Sequence, residues 1–211
     1  MSRGLLLAAS IGMAAAAALP TPALAQAGAR ARDPQAEAFV DANARRVLGV
    51  LNDRRTSIEQ RHQAFRVLIG EMVDWPRLTH MVLGKYARTA TPDQLARFTA
   101  AYRTYAEGVY QHRIDDYRAN KAVVTGSVIH KPGDVIVITS FTGAENPDPV
   151  DLAWRVQGSG SNWKMVDVQV KGVWLAITQQ QDFVSTIDNH GGNVDVLINQ
   201  LLADSAKQVQ R

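Results

Sequence analysis

Histidines and carboxylates are the residues of this chain whose chemistry could bind a metal or transfer a proton. The five histidines stand far apart and form no close pair such as H-x-H or H-E-x-x-H: His62, His80, His112, His130 and His190. Acids do cluster, at Asp115-Asp116 and around Glu145, Asp148 and Asp151. Adjacent acids on a helix point in different directions, and acids near a turn are solvated. The spacing therefore predicts neither a metal site nor a paired-carboxylate catalyst.

Nucleophile and phosphate-binding motifs are the next possibility. The stretch "QGSGSNW" places serine between glycines, but it lacks the G-x-S-x-G spacing of a hydrolase elbow and joins two β-rich runs. No phosphate-loop lysine stands in position, and no helix follows to present its amides to a phosphate. The chain has no cysteine. This excludes a disulfide framework, a zinc-thiolate site and a cysteine nucleophile.

The first 28 residues, "MSRGLLLAASIGMAAAAALPTPALAQAG", have the layout of an export signal. Arg3 gives a positive start, Leu5 to Leu19 form an apolar run, and Ala23-Leu24-Ala25 offers small residues for cleavage. The run is shorter than the roughly 20 apolar residues that span a bilayer. We therefore predict a cleavable signal peptide over 1–25, a single domain over 26–211 and a periplasmic location.

The charge of the chain is basic but spread out. The pI is about 9.3, yet the basic pairs Arg45-Arg46 and Arg54-Arg55 are mixed with acids. Such a pattern is typical of solvated helix faces and not of a polyanion site. We expect no nucleic-acid partner.

Helical spacing of apolar residues covers the first half of the chain after the signal and the C-terminal end. Helices are predicted from Pro34 to about Leu51, from Ser57 onward, from Asp74 to a stop at Gly84, and from Thr91 to about Tyr117. Ser57 with Gln60, and Thr91 with Gln94, have the spacing of capping boxes. Two further helices are predicted after the sheet, the last one capped by Asn193.

Between these helical regions, apolar residues recur at every second position, as in a β-strand. Four β-rich runs, "AVVTGSVIH", "DVIVITSFT", "VDLAWRVQG" and "NWKMVDVQVKG", are separated by short turns. Short connections favour successive antiparallel hairpins. The sequence therefore predicts an α+β fold, in which a mostly antiparallel four-stranded sheet is covered by several helices.

The segment "VDWPRLTHMVLGKYARTATPDQLARFTAAYRTYAEGVY" resembles the central segment of the MlaC family, also called the toluene-tolerance auxiliary component of a phospholipid ABC transporter. The order of elements is also similar: export signal, helices, this block, a meander ending "W-MVDVQVKGV", and a closing G-x-x-x-x-L-I-x-x-L at Gly192 to Leu201. The likeness covers essentially the whole chain after the signal.

This resemblance implies a periplasmic shuttle that carries phospholipid between an outer-membrane lipoprotein complex and an inner-membrane MCE-type ABC transporter. It implies an apolar cavity between sheet and helices, a bound phospholipid as cargo, no cofactor, no catalysis and a monomer. Inward strand positions and the aromatic side of the long helix are the expected lining: Tyr105, Val109, Val137, Trp154, Val168, Val170 and Val173, with Trp174 near the mouth. For each position ordinary core packing is an equal alternative, since both give the same hydrophobic pattern.

Two residues depart from the family's pattern. Ala87 stands where an aromatic residue is common, and Trp174 follows "GV" where a small polar residue is usual. Either change can reshape a ligand pocket or mark a sub-family with another lipid, such as a hopanoid. The competing class is an exported enzyme or an interaction module on a similar scaffold, because a fold alone does not fix a function.

Overall fold

A computed structural model describes residues 31–114, 121–143 and 149–209, with side chains except at 110–114 and 208–209. The predicted signal peptide and the acids at 115, 116, 145 and 148 lie outside these ranges. The helices are α1 (Pro34–Asn52), α2 (Ile58–Met72), α3 (Trp75–Leu83), α4 (Pro92–Ile114), α5 (Leu175–Asp188) and α6 (Val194–Val209). A 3-10 helix, Gly84–Arg88, joins α3 to α4.

Local capping explains where α2, α3 and α4 begin and where α3 ends. The predicted capping boxes are confirmed: Gln60 N–H donates to Ser57 Oγ at 3.2 Å, and Gln94 N–H donates to Thr91 Oγ1 at 3.1 Å. Asp74 accepts from the amide of Arg77 at 3.0 Å and caps α3. Gly84 ends that helix with a φ of 53°, a left-handed conformation that glycine adopts without a Cβ clash.

The sheet is an antiparallel meander in sequence order. Its strands are β1 (Lys121–Lys131), β2 (Asp134–Thr142), β3 (Val150–Gln157), β4 (Lys164–Val170) and β5 (Val173–Trp174). The α+β prediction is confirmed, but the predicted count of four strands is one too few. The fifth strand has only two residues, which is too short to show an alternating pattern.

The helices and the sheet bury two apolar clusters. The first lies among α3, α4, α5 and α6 and contains Phe98, Tyr102, Phe183 and Ile187. The second lies between α1, the end of α2 and the sheet, and contains Val40, Val137, Trp154 and Val156. Met165 of β4 packs against both clusters. We call them the helical cluster and the sheet cluster.

A buried ion pair ties β2 to β3. Asp134 is 1% exposed and accepts from Arg155 Nε at 2.9 Å and Nη2 at 2.7 Å, and from Gln157 Nε2 at 2.9 Å. The hydrogen bonds from the Arg155 guanidinium hold the pKa of the Asp134 carboxyl below its ordinary value. The carboxylate is thus buried with its charge matched and its oxygens hydrogen-bonded.

Replacing Arg155 by Met should lower the free energy of unfolding by about 3 kcal/mol, because it leaves a buried carboxylate without its cation. Arg45→Met is the matched control: its pair with Asp41 is exposed, so the loss should stay below about 0.5 kcal/mol. Urea unfolding at neutral pH measures both variants. Equal losses in the two variants would contradict the role given to the buried pair.

Candidate functional site

A cavity of about 260 Å³ lies between the helical cluster and the sheet cluster. Its walls are apolar side chains from helices α1 to α5 and strands β2 to β4, together with Val73 at the junction of α2 and α3. The helices contribute Val47, Leu48, Leu51, Phe65, Ile69, Trp75, Leu78, Tyr102, Ala106, Leu175 and Ala176. The sheet contributes Phe141, Val150, Leu152, Trp154, Met165, Val166, Val168 and Val170.

The antiparallel register gives the cavity two different ends. Val150 and Val170 stand near one end of the sheet, where β3 begins and β4 ends, and like Met165 they are half-buried. At the other end Met165 pairs with Val156, which is fully buried and does not line the cavity. We therefore place the mouth near Val150 and Val170 and the floor at Met165. The strand partners of Val170 and Met165 are Leu152 and Val156, which are four residue steps apart along β3, or about 13 Å at the strand rise of about 3.3 Å.

The aromatic rings of the lining are held in place by partners outside the cavity. Trp154 Nε1 donates to the buried Thr139 Oγ1 at 2.7 Å. The Tyr102 hydroxyl donates to Gln179 Oε1, and its ring stacks on Phe98 with centroids 5.7 Å apart. Because these polar atoms are already bonded, the rings present hydrocarbon to the space between them.

Asp167 is the one charged residue of this lining, and it connects β4 to α5. Its Oδ1 accepts from the amides of Val168 at 2.8 Å and Ala176 at 2.9 Å, whereas no described residue bonds its buried Oδ2. The residue is 6% exposed, and burial raises the pKa of its carboxyl despite those two amides and the nearby Arg155 charge. The carboxyl thus fixes the start of α5 beside the cavity, at the cost of burying a charge.

The pKa shift of Asp167 predicts a pH-dependent stability. The Asp167 carboxyl binds its proton more tightly in the native state than in the unfolded chain, where it titrates near 3.8. The contribution of Asp167 to the free energy of unfolding therefore falls as the pH rises from 3.8 through the native pKa. Asp167→Asn keeps an acceptor for the two amides and removes the charge. As the pH falls from the native pKa of Asp167 toward 3.8, the free energy of unfolding of the wild type should therefore rise relative to that of the variant. Urea unfolding over a pH series measures the difference, and a flat difference would contradict the prediction.

Three of the eight residues predicted to contact lipid line the cavity: Trp154, Val168 and Val170. Val137 is fully buried in the sheet cluster, and Tyr105 packs at the edge of the helical cluster; neither belongs to the lining. Val109 of α4 is half-buried and also outside the lining. Lipid contact by any of these residues remains a prediction.

The start of α5 differs most from what the sequence suggested. Val173 is 49% exposed, and Trp174 is half-buried at the residue before α5; neither lines the cavity. Leu175 and Ala176, which directly follow them, do line it. Ala87, the other departure from the family's pattern, packs against the helical cluster from the 3-10 helix and lies outside the lining.

Sequence reasoning missed the walls that α1, α2 and α3 supply. Phe65 and Ile69 stand at helical spacing in the sequence, but such an apolar stripe fits a packed interior and a cavity wall equally well. Trp75 follows the α3 cap, and its Nε1 is buried without a described hydrogen-bond partner. No local pattern distinguishes these residues from ordinary core.

The described residues form neither a metal site nor a membrane-spanning helix. Among the described residues, no three histidine, cysteine or acidic side chains are placed together so that they could hold a metal ion. In the same part of the chain, no helix has the length and apolarity needed to cross a membrane.

Comparison with known proteins identifies the family. The family model described as MlaC protein matches residues 41–203. The chain belongs to the MlaC family. Toluene tolerance protein ttg2D of Pseudomonas putida is 21% identical over 150 residues, which cover 71% of this chain and 69% of that protein. The similarity of this MlaC-family chain to that relative therefore extends over most of both proteins.

A solved structure has the same fold. The phospholipid-binding protein from Ralstonia solanacearum, determined in complex with a phospholipid, has a TM-score of 0.72 to this MlaC-family chain at 24% identity. The match covers 82% of this chain and 98% of the other. At this level of identity the likeness shows the fold, including a sheet and helices arranged in the same way.

Proposed function

We propose that this chain is a periplasmic phospholipid carrier. In this role it moves lipid between an outer-membrane lipoprotein complex and an inner-membrane MCE-type ABC transporter, and so maintains outer-membrane lipid asymmetry. The observation that carries the proposal is the apolar cavity between the two clusters, whose lining contains one charged residue, Asp167. Membership of the MlaC family and a structural neighbour that binds a phospholipid support the lipid as cargo.

The physical need for such a cavity follows from the cargo. Two acyl chains with about 30 methylenes in total cost on the order of 24 kcal/mol to leave in water, at about 0.8 kcal/mol for each methylene. A carrier must therefore enclose the chains and cannot only touch them. The distance of about 13 Å from mouth to floor is slightly less than the thickness of one leaflet's hydrocarbon, about 15 Å.

The volume of the cavity indicates how a lipid with two acyl chains would enter it. The cavity of about 260 Å³ is slightly smaller than most ligand pockets, which occupy about 300–1,000 Å³. A lipid with two chains therefore requires the helical cluster and the sheet cluster to move farther apart. Such movement separates apolar surfaces that the incoming chains then cover, so it exposes little hydrocarbon to water when loading occurs.

No catalytic step is part of this proposal, because transfer exchanges one apolar environment for another and breaks no covalent bond. The cargo is a bound phospholipid, no cofactor is proposed, and the carrier acts as a monomer. The two membrane complexes are proposed as partners on family grounds.

Replacing Val168 by Phe should fill the cavity and reduce bound phospholipid at least fivefold, with a loss of stability below about 1 kcal/mol, because the new ring enters open space. Val137→Phe is the matched control, since Val137 and Val168 both flank Trp154 in the sheet but Val137 is fully buried. It should cost about 1–3 kcal/mol through overpacking and leave the lipid content of the folded protein unchanged.

Mass spectrometry of lipid extracted from the purified protein, and uptake from phosphatidylethanolamine and phosphatidylglycerol vesicles, measure the occupancy. Equal lipid content in wild type and Val168→Phe would remove Val168 from the site. A wild-type protein that carries no extractable lipid and takes none up would overturn the carrier function. A hopanoid in the extract would instead change the cargo, and turnover of an added ester would indicate an enzyme.

The proposed periplasmic location predicts the first residue of the mature protein. Expressed with its full sequence in a bacterial host, the protein should appear in the periplasmic fraction with Gln26 at its N-terminus, because cleavage follows Ala23-Leu24-Ala25. N-terminal sequencing or intact mass measures this. A cytoplasmic protein that retains residues 1–25 would contradict the location.

A further inference from the structure

The floor of the cavity is built around one side chain. Along β4, Met165 is the lining residue farthest from Val170 at the mouth. Its strand partner Val156 is fully buried, and Met72, which like Val156 belongs to the sheet cluster, is 2% exposed. Met165 itself is half-buried and packs against both clusters. It therefore separates the open cavity from the filled core beyond it.

The backbone of Met165 is held from two sides. Its carbonyl accepts from the amide of Asp74 at 3.0 Å, and Val73 forms a parallel bridge to it, so the junction of α2 and α3 is attached to β4 at this residue. On the other side, the β3–β4 register shifts between Arg155 and Val156, which leaves Val166 as an extra residue. Such a bulge bends a strand and redirects the neighbouring side chains.

The neighbouring aromatic residues form side walls. Trp154 is fixed by its hydrogen bond to Thr139, and Trp75 packs edge-on against Tyr102 with centroids 6.1 Å apart. Met165 differs from both because it is unbranched and stands at the closed end, where the end of an apolar chain would meet it.

We propose that Met165 sets the maximum length of apolar chain that this cavity accepts. The inference rests on the proposed lipid-carrier function and adds to it a specificity-determining residue. With the polar group of the ligand at the mouth, its chain runs along β4 and stops against the Met165 thioether. Shortening this side chain opens the cavity toward the core, and a bulkier one moves the floor toward the mouth.

The test measures affinity against chain length with single-chain probes, lysophosphatidylglycerols that carry hexanoyl, octanoyl, decanoyl, lauroyl or myristoyl chains. Quenching or enhancement of the fluorescence of Trp75 and Trp154, which line the cavity, reports binding below the micelle concentration. Wild-type affinity should rise about fourfold for each added methylene until the chain reaches the floor, and then stay constant.

Three variants distinguish the effect of Met165 on chain length from the effect of another lining residue. Met165→Ala should let affinity rise for about two more methylenes, a gain of about 15-fold over the wild-type plateau. Met165→Phe should end the rise at a shorter chain. Leu152→Ala, which removes a side chain of similar size near the mouth, should lower affinity for all probes and leave the plateau at the wild-type chain length.

The outcomes distinguish this inference from the function on which it rests. A wild-type protein that binds none of the probes overturns the carrier function itself. A wild-type plateau that stays at the same chain length in Met165→Phe and Met165→Ala overturns the role of Met165 alone. If Met165→Ala does not fold, as shown by thermal unfolding, Met165→Phe alone decides, because it fills space and creates no void.

Discussion

Two hydrophobic clusters face each other in this protein across a space that they do not fill. Protein interiors normally pack as densely as organic crystals, and a void costs free energy because its walls lose contacts on one side. An unfilled space persists only where the surrounding frame prevents collapse. Here the frame is the antiparallel sheet on one side, helices on the other, and Met165 where the two clusters meet.

The polar contacts of the molecule strengthen this frame and leave the cavity apolar. Asp134 and Arg155 join adjacent strands, Thr139 fixes the Trp154 ring, and Asp167 attaches the first turn of α5 to β4. These contacts lie at or outside the cavity wall, and in the lining only Asp167 Oδ2 and Trp75 Nε1 are buried without a described partner. A ligand inside is therefore selected by the length and width of its apolar part, which suits a carrier that takes up and releases its cargo without chemistry.

Sequence reasoning predicted the elements well because their causes are local. Ser57 and Thr91 begin helices through capping boxes, and short turns with alternating apolar residues specify the β-meander. It missed the two-residue strand Val173–Trp174, since pairing with β4 and not any pattern of its own makes it a strand. It identified Trp154, Val168 and Val170 among the lining residues and also named five residues that lie elsewhere.

The sequence by itself determined the α+β class, the order of elements, the caps and the resemblance to a lipid-carrier family. Only the tertiary structure decided which apolar residues surround empty space. Val137 and Val168 both flank Trp154 in the sheet, yet one is fully buried in the core and the other lines the cavity. The physical reason is that alternation tells which face of a strand avoids water, whereas the distance to the opposing helix tells whether that face meets side chains or space.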